Sequence, residues 1–196
     1  MDYATLSLAE VRTGLEGVAR ETHTTFGGLD AGQLNWRPDA ARWSVAQCFE
    51  HLLTANRLVR EAAEDALAGA SPRSVWQRMP VLPGVIGRAL VRSQAPEKTR
   101  KFVAPPKARP VASDIAPDVI DRFVAQHRDL TAWMQALDER EAARAIMTSP
   151  FLRVITYSVL DASRLLLAHD RRHVAQARRV VELAEFPTRP PEARPR

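Results

Sequence analysis

Between about Thr156 and Glu185 the apolar residues recur at Val159, Ala162, Leu166, Ala177, Val180 and Ala184, in steps of three and four. That spacing dictates a helix with one buried face, because 3.6 residues per turn bring such side chains back to one azimuth. The stripe has a gap, and carrying it through lands on His169 and His173. Two imidazoles thus stand where a helical core takes Leu or Val, and burying neutral polar rings costs free energy unless each is satisfied. At i and i+4 they project side by side, the spacing at which one helix offers two nitrogens to one metal ion. The plainer reading is a pair of core or solvated histidines on an arginine-rich helix, and their place on the buried stripe favours the metal.

Three further helices are expected. The first runs roughly from Leu8 to Leu29, started by a Ser7-x-x-Glu10 capping box and carrying Leu8, Val11, Leu15, Val18, Thr22, Phe26 and Leu29 on one face. Residues Asp30 to Arg42 are expected to be a connecting loop. The second helix begins at a second box, Ser44 with Gln47, and Trp43 before it is placed to pack on Cys48 as a hydrophobic staple. Between Gly69 and Ala116 prolines recur too often for a long helix, although a short one around Val85 to Val91 fits. A connection of this length suits a crossover between distant ends of a bundle. The third helix is expected from near Pro117, capped by Ser113 or Asp114, to about Arg144, with Ile120, Phe123, His127, Leu130, Met134 and Leu137 inward. Ser149-Pro150-Phe151 turns the chain into the fourth. No repeat and no convincing strand is visible. The expectation is all-α: a four-helix bundle over residues 1–186, with a long crossover between helices 2 and 3 and a disordered Pro/Arg-rich tail over 187–196.

Composition narrows the function. The 196 residues suit one domain with a core of its own. The lone Cys48 excludes an intrachain disulfide and a thiolate-cluster zinc site, and fits a reducing cytosol. No apolar run approaches the ~20 residues of a membrane span, and the Met1-Asp2-Tyr3 start lacks a secretory pattern, so a cytoplasmic protein is expected. A net charge of +5 raises nucleic acid as a partner. The arginines are spread along the chain without interleaved aromatics, so no specific nucleic-acid binding is expected.

Other polar residues fall near the buried faces. His51 sits at the edge of the second helix's wide apolar face. If the second and fourth helices are neighbours, three imidazoles can converge on one ion; spacing alone leaves this open. Gln47 and Gln176 are placed to donate hydrogen bonds to a bound substrate, Cys48 shares the face of His51, and His127 interrupts an apolar stripe. The plainer reading makes the glutamines surface residues, Cys48 a small buried apolar group and His127 a bonded core histidine. Glu50 and Asp170 adjoin histidines and point about 100° away from them, into a supporting or solvent-facing role. Arg171 and Arg172 flank the pair, either solvated or placed to attract an anionic thiol.

Trp43-Ser44-Val45-Ala46-Gln47, then Glu50-His51-Leu52, and later His169-Asp170-Arg171-Arg172-His173 with Gln176, resemble the DinB-like (damage-inducible, YfiT-like) superfamily. Leu34-Asn35-Trp36-Arg37-Pro38 before the Trp-Ser motif and Phe102-Val103-Ala104-Pro105 in the crossover are similar too, so the likeness spans Leu8 to about Leu183. The resemblance implies a four-helix bundle and a divalent metal held by His51, His169 and His173, with zinc, nickel and iron all suited to imidazole. It further implies metal-dependent thiol S-transferases using low-molecular-weight thiols, related isomerases, and hydrolases. The function expected is a metal-dependent S-transferase or hydrolase acting on a small-molecule substrate; the rival is a non-catalytic metal-binding or stress-response bundle. Pairing of two copies through exposed helix faces is compatible with either.

Overall fold

A computed structural model describes residues 2–69, 82–94, 108–110 and 114–188. After a single 3₁₀ turn, Tyr3–Thr5, the helices are α1 (Leu8–Phe26), α2 (Ala31–Asn35), α3 (Val45–Leu67), α4 (Leu82–Ser93), α5 (Val119–Gln135), α6 (Glu139–Arg144) and α7 (Val159–Val181). Strands β1 (Ile146–Thr148) and β2 (Thr156–Ser158) form a small antiparallel hairpin. The chain is all-α in class.

The helix starts follow the side-chain chemistry. Ser7 and Glu10 cap α1 reciprocally, with Glu10 N donating to Ser7 Oγ at 3.3 Å and Ser7 N to Glu10 Oε2 at 2.8 Å. Ser44 and Gln47 do the same for α3, at 3.1 Å each way. The loop expected over Asp30 to Arg42 contains a short helix instead, α2. Asp30 and Gln33 form a third capping box (2.9 and 3.1 Å), and Leu34 is buried beneath it.

Two other expectations are corrected. The third long helix does not run to Arg144: α5 ends at Gln135, and Asp138 starts α6 by accepting from Glu141 N at 2.9 Å. Its N-cap is Asp118, not Asp114, and Ser113 lies outside the described residues. The first turn of α6 is then fixed to the start of α1, where Glu139 Oε2 accepts from Leu8 N at 2.8 Å. The last helix starts at Val159 rather than Thr156, because 156–158 pair with 146–148 in the register Met147↔Tyr157. Three-residue strands are too short to show a period of two, which is why no strand was legible.

The four long helices close a ring: α1 packs on α5 and α7, and α3 packs on α7 and α5. At its centre Phe49 meets Phe26 and Phe123 edge-on, with centroids 5.2 and 4.9 Å apart. Leu15, Val18, Leu52, Leu130, Met134 and Leu167 fill the space around them, each burial contributing about 1.5–3 kcal/mol. The expected short helix of the crossover is present as α4 and packs along α7, with Gly87 against Asp161. The Phe102-Val103-Ala104-Pro105 stretch lies outside the described residues, as do 189–196 of the expected tail. Phe186 and Pro187 dock on the α2 region: Phe186 meets Trp36 edge-on, and Gln33 Nε2 donates to the Pro187 carbonyl at 2.8 Å.

Candidate metal centre

The packing of α3 against α7 brings His51 to His169 and His173. Their ring centroids lie 4.6–5.0 Å apart pairwise, and each offers a ligating nitrogen within 4.8 Å of the other two. The tautomer of His51 is fixed by its neighbour. Its Nδ1 lies 2.6 Å from the carbonyl of Ala108, and a carbonyl only accepts, so Nδ1 carries the proton. Nε2 is therefore left with a lone pair, and it faces His169 Nε2 at 3.2 Å. Two bare ring nitrogens repel at that distance; a proton or a cation between them removes the conflict. His173 adds a buried Nδ1 that has no hydrogen-bond partner among the described residues, although the Gln176 amide lies near its ring.

Electrostatics keep all three rings in the ligand form. Burial lowers the pKa of His51. Burial, then the charges of His173, His51 and Arg172, hold His169 well below the ordinary imidazole range. His173 is lowered to about 3, chiefly by burial and then by His51 and Arg172. Neutral imidazoles crowded around one point present converging lone pairs, and this donor set suits zinc, nickel or iron. Trp43 shields the group: its indole stacks on His173 (5.8 Å, 18°) and tilts against His51 (5.0 Å, 56°).

The remaining residues singled out in the sequence fall into separate surroundings. Gln47 is buried, and its amide oxygen serves the α3 capping box by accepting from Ser44 N. Gln176 is half-buried beside His173. Cys48 is buried among core residues, and desolvation pushes its thiol up to about 12, which keeps the sulfur in its protonated form. His127 is a core histidine: Nδ1 lies 3.0 Å from the Phe123 carbonyl and Nε2 lies 2.9 Å from Asp170 Oδ2. Arg171 is bound to Glu21 at 2.7 Å, beside Arg178 at 2.6 Å from the same carboxylate, and so is drawn away from the histidines. Arg172 points one guanidinium nitrogen at the Ser93 carbonyl, 3.4 Å away. A surface recess of about 350 Å³ between α3 and α5, lined in part by Arg57, Arg60, Arg122 and Gln126, contains none of the three histidines.

Sequence reasoning missed the Ala108 carbonyl, which sits in the proline-rich crossover and carries no side-chain signal. It placed Trp43 against Cys48 and did not foresee that the indole also meets His51 and His173. It also left open whether Asp170 faces solvent, whereas the structure buries it completely.

The sequence pattern of the DinB superfamily matches residues 15–177. The chain belongs to the DinB superfamily. Across a comparable span it is similar to the uncharacterized protein YuaE of Bacillus subtilis (strain 168), at 24% identity over 170 residues covering 84% of this chain and 93% of that protein. No solved structure matches it. The histidine trio of this DinB-superfamily chain thus sits at the seam of its second and fourth long helices, α3 and α7, whose sequences carry the family resemblance.

Proposed function

We propose that His51, His169 and His173 hold one divalent transition metal, and that this chain is a metal-dependent S-transferase or hydrolase of small molecules. The observation that carries the reading is the set of three neutral imidazoles, His51 buried and His169 and His173 half-buried, whose ligating nitrogens lie within 4.8 Å of one another. A metal with three protein ligands keeps a position open, and there it supplies Lewis acidity that lowers the pKa of a bound thiol or water. The chain's own groups do the rest. The Ala108 carbonyl orients His51 by accepting its Nδ1 proton, a second-layer bond of the kind that sets a ligand's tautomer and basicity. Trp43 covers the faces of His51 and His173 and restricts water there. The Gln176 amide, beside His173, is within reach to donate a hydrogen bond to a substrate. A low-molecular-weight thiol is the co-substrate in the transfer reading, and water in the hydrolytic one.

The test is metal content by mass spectrometry on tag-free protein, wild type beside His51→Ala and His169→Ala. About one equivalent of a transition metal is expected in the wild type, as for a single three-ligand site, and much less in both variants. Thiol-transfer and esterase screens on the loaded protein then separate the two reactions. Absence of metal from the wild type even after reconstitution, with variants that fold like it, would overturn the reading and leave a binding bundle.

A further inference from the structure

The recess between α3 and α5 lies apart from the histidines, and two amide side chains in its wall are fixed in orientation. Asn56, wholly buried, donates Nδ2 to the Asp170 carboxylate oxygens at 3.2 and 3.4 Å. Gln126, on the opposite helix, donates Nε2 to the Leu53 carbonyl at 2.8 Å. Carboxylate and carbonyl oxygens accept, so each amide nitrogen is already used and each amide oxygen remains as an acceptor. Asn56 Oδ1 and Gln126 Oε1 are both buried without a hydrogen-bond partner among the described residues. Such acceptors cost free energy, and a donor brought to them removes that cost.

The rim carries charge of both signs. Arg60 is held in place: its Nε donates to Glu64 at 2.8 Å, and its guanidinium carbon lies 5.8 Å from the centre of the Trp133 ring. Its terminal amino groups make no other hydrogen bond among the described residues, and they form the planar fork that suits a carboxylate. Arg57 and Arg122 add positive charge, while Asp129, in no ion pair among the described residues, supplies a negative one. A simple anion would satisfy the guanidiniums and leave the amide oxygens as they are; a simple cation would meet three guanidiniums. A molecule with N–H donors and a carboxylate on adjacent atoms suits both. Asn56 and Arg60 stand one turn apart on α3, about 5–6 Å between Cβ atoms, and an α-amino acid carries its ammonium and carboxylate on one carbon.

We propose that this recess is a second binding site, for a free α-amino acid with an aliphatic side chain. The ammonium donates to Asn56 Oδ1 and Gln126 Oε1 beside the Asp129 carboxylate, the carboxylate accepts from Arg60, and the side chain lies on Leu130 and Ala125. The two amide oxygens are covered from bulk water, and Arg57, tied only to Glu61 by an exposed ion pair, is the part of the wall that swings to admit the ligand. A volume of about 350 Å³ is at the small end of ligand pockets, in keeping with a molecule of this size. The site needs no metal.

The experiment is an amide NMR titration of the full chain with L-leucine, with isocaproate, which lacks the ammonium, and with isoamylamine, which lacks the carboxylate. Wild type is compared with Arg60→Met, Asp129→Asn and His51→Ala, each with a thermal melt. Leucine is expected to saturate, with shifts gathered on Asn56–Arg60 and Arg122–Leu130, and both analogues to bind far more weakly. Arg60→Met and Asp129→Asn should each weaken leucine about tenfold or more, the scale of one charge-assisted hydrogen bond, at melting temperatures close to wild type. Residues that merely support the fold would move the melt and leave leucine affinity alone. His51→Ala is expected to bind leucine like wild type, which separates the recess from any metal that could itself hold an amino acid. The proposal is overturned if leucine shifts no resonance, if either analogue binds as tightly as leucine, or if Arg60→Met or Asp129→Asn binds like wild type. It is overturned equally if the shifts gather on the histidines and vanish in His51→Ala, which would leave the metal centre as the place where leucine binds.

Discussion

His173 has an ordinary imidazole pKa of 6.5 in the unfolded chain and one of about 3 in the folded metal-free protein. Between those values the unfolded chain binds a proton that the folded chain refuses, so folding stability rises with pH across that window. His51 and His169 are shifted in the same direction by the same cause, burial. The melting temperature of metal-free protein is therefore expected to hold above about pH 6.5 and to decline as the pH falls toward 3. His173→Leu removes one of these protons and should flatten the decline. Superimposable melting profiles for the two proteins would mean that His173 is not buried as a neutral ring. Zinc release on acidification should follow the same direction, because protons and metal compete for the same lone pairs.

At the scale of elements, the docking of α4 on α7 depends on a missing side chain. A Cβ at Gly87 would lie 2.5 Å from Asp161 Oδ2 and 2.9 Å from its Cβ. Asp161 cannot swing aside freely, since it is buried and bonded to Arg164 at 2.9 Å, whose Nε donates to the Leu6 carbonyl at 2.7 Å. Gly87→Ala is expected to destabilise by about 1–3 kcal/mol, as overpacking does. Gly84→Ala, on the same helix, meets nothing closer than Arg88 Nη1 at 3.4 Å. There the better helix propensity of alanine, up to about 1 kcal/mol, should leave stability equal or higher. Urea denaturation of the two variants checks the contrast; equal effects would show that α4 does not press on α7 at Gly87. The element boundaries carry the same lesson about local chemistry. Capping boxes marked the starts of α1 and α3 in the sequence, and the same pattern at Asp30 and Gln33 produced α2, which apolar periodicity alone could not reveal in five residues.

For the molecule as a whole, the core and the candidate centre are separable. The aromatic cluster of Phe26, Phe49 and Phe123 and the aliphatic layers around it form a hydrophobic core of their own, beside His51, His169 and His173. The metal-free protein is therefore expected to remain folded after chelation, with its helical circular dichroism intact. Saturating zinc should then raise the melting temperature, with a gain of about 2.7 kcal/mol at a hundredfold excess over Kd. Loss of helicity on chelation would instead make the metal a structural staple, as in domains too small for a core. No helix among the described residues is long and apolar enough to cross a membrane.

Local physics was written into the chain: the stripes of α1, α3, α5 and α7, the serine caps, and the placement of His169 and His173 on one inward face all follow from 3.6-residue periodicity and short-range hydrogen bonding. Those signals span a few turns of one helix, and they identify candidates without stating what those candidates meet. The family resemblance supplied His51 as the third partner. Only the tertiary structure decided that α3 lies against α7, that a crossover carbonyl sets the His51 proton, and that Trp43 covers the histidines. Asp170 shows the limit most clearly: one residue from a candidate ligand and polar in sequence, it faces inward because Asn56 and His127, 114 and 43 residues away along the chain, together satisfy it. Partners at such separations leave no periodic trace, because they are set by how whole helices pack and not by the residues beside them.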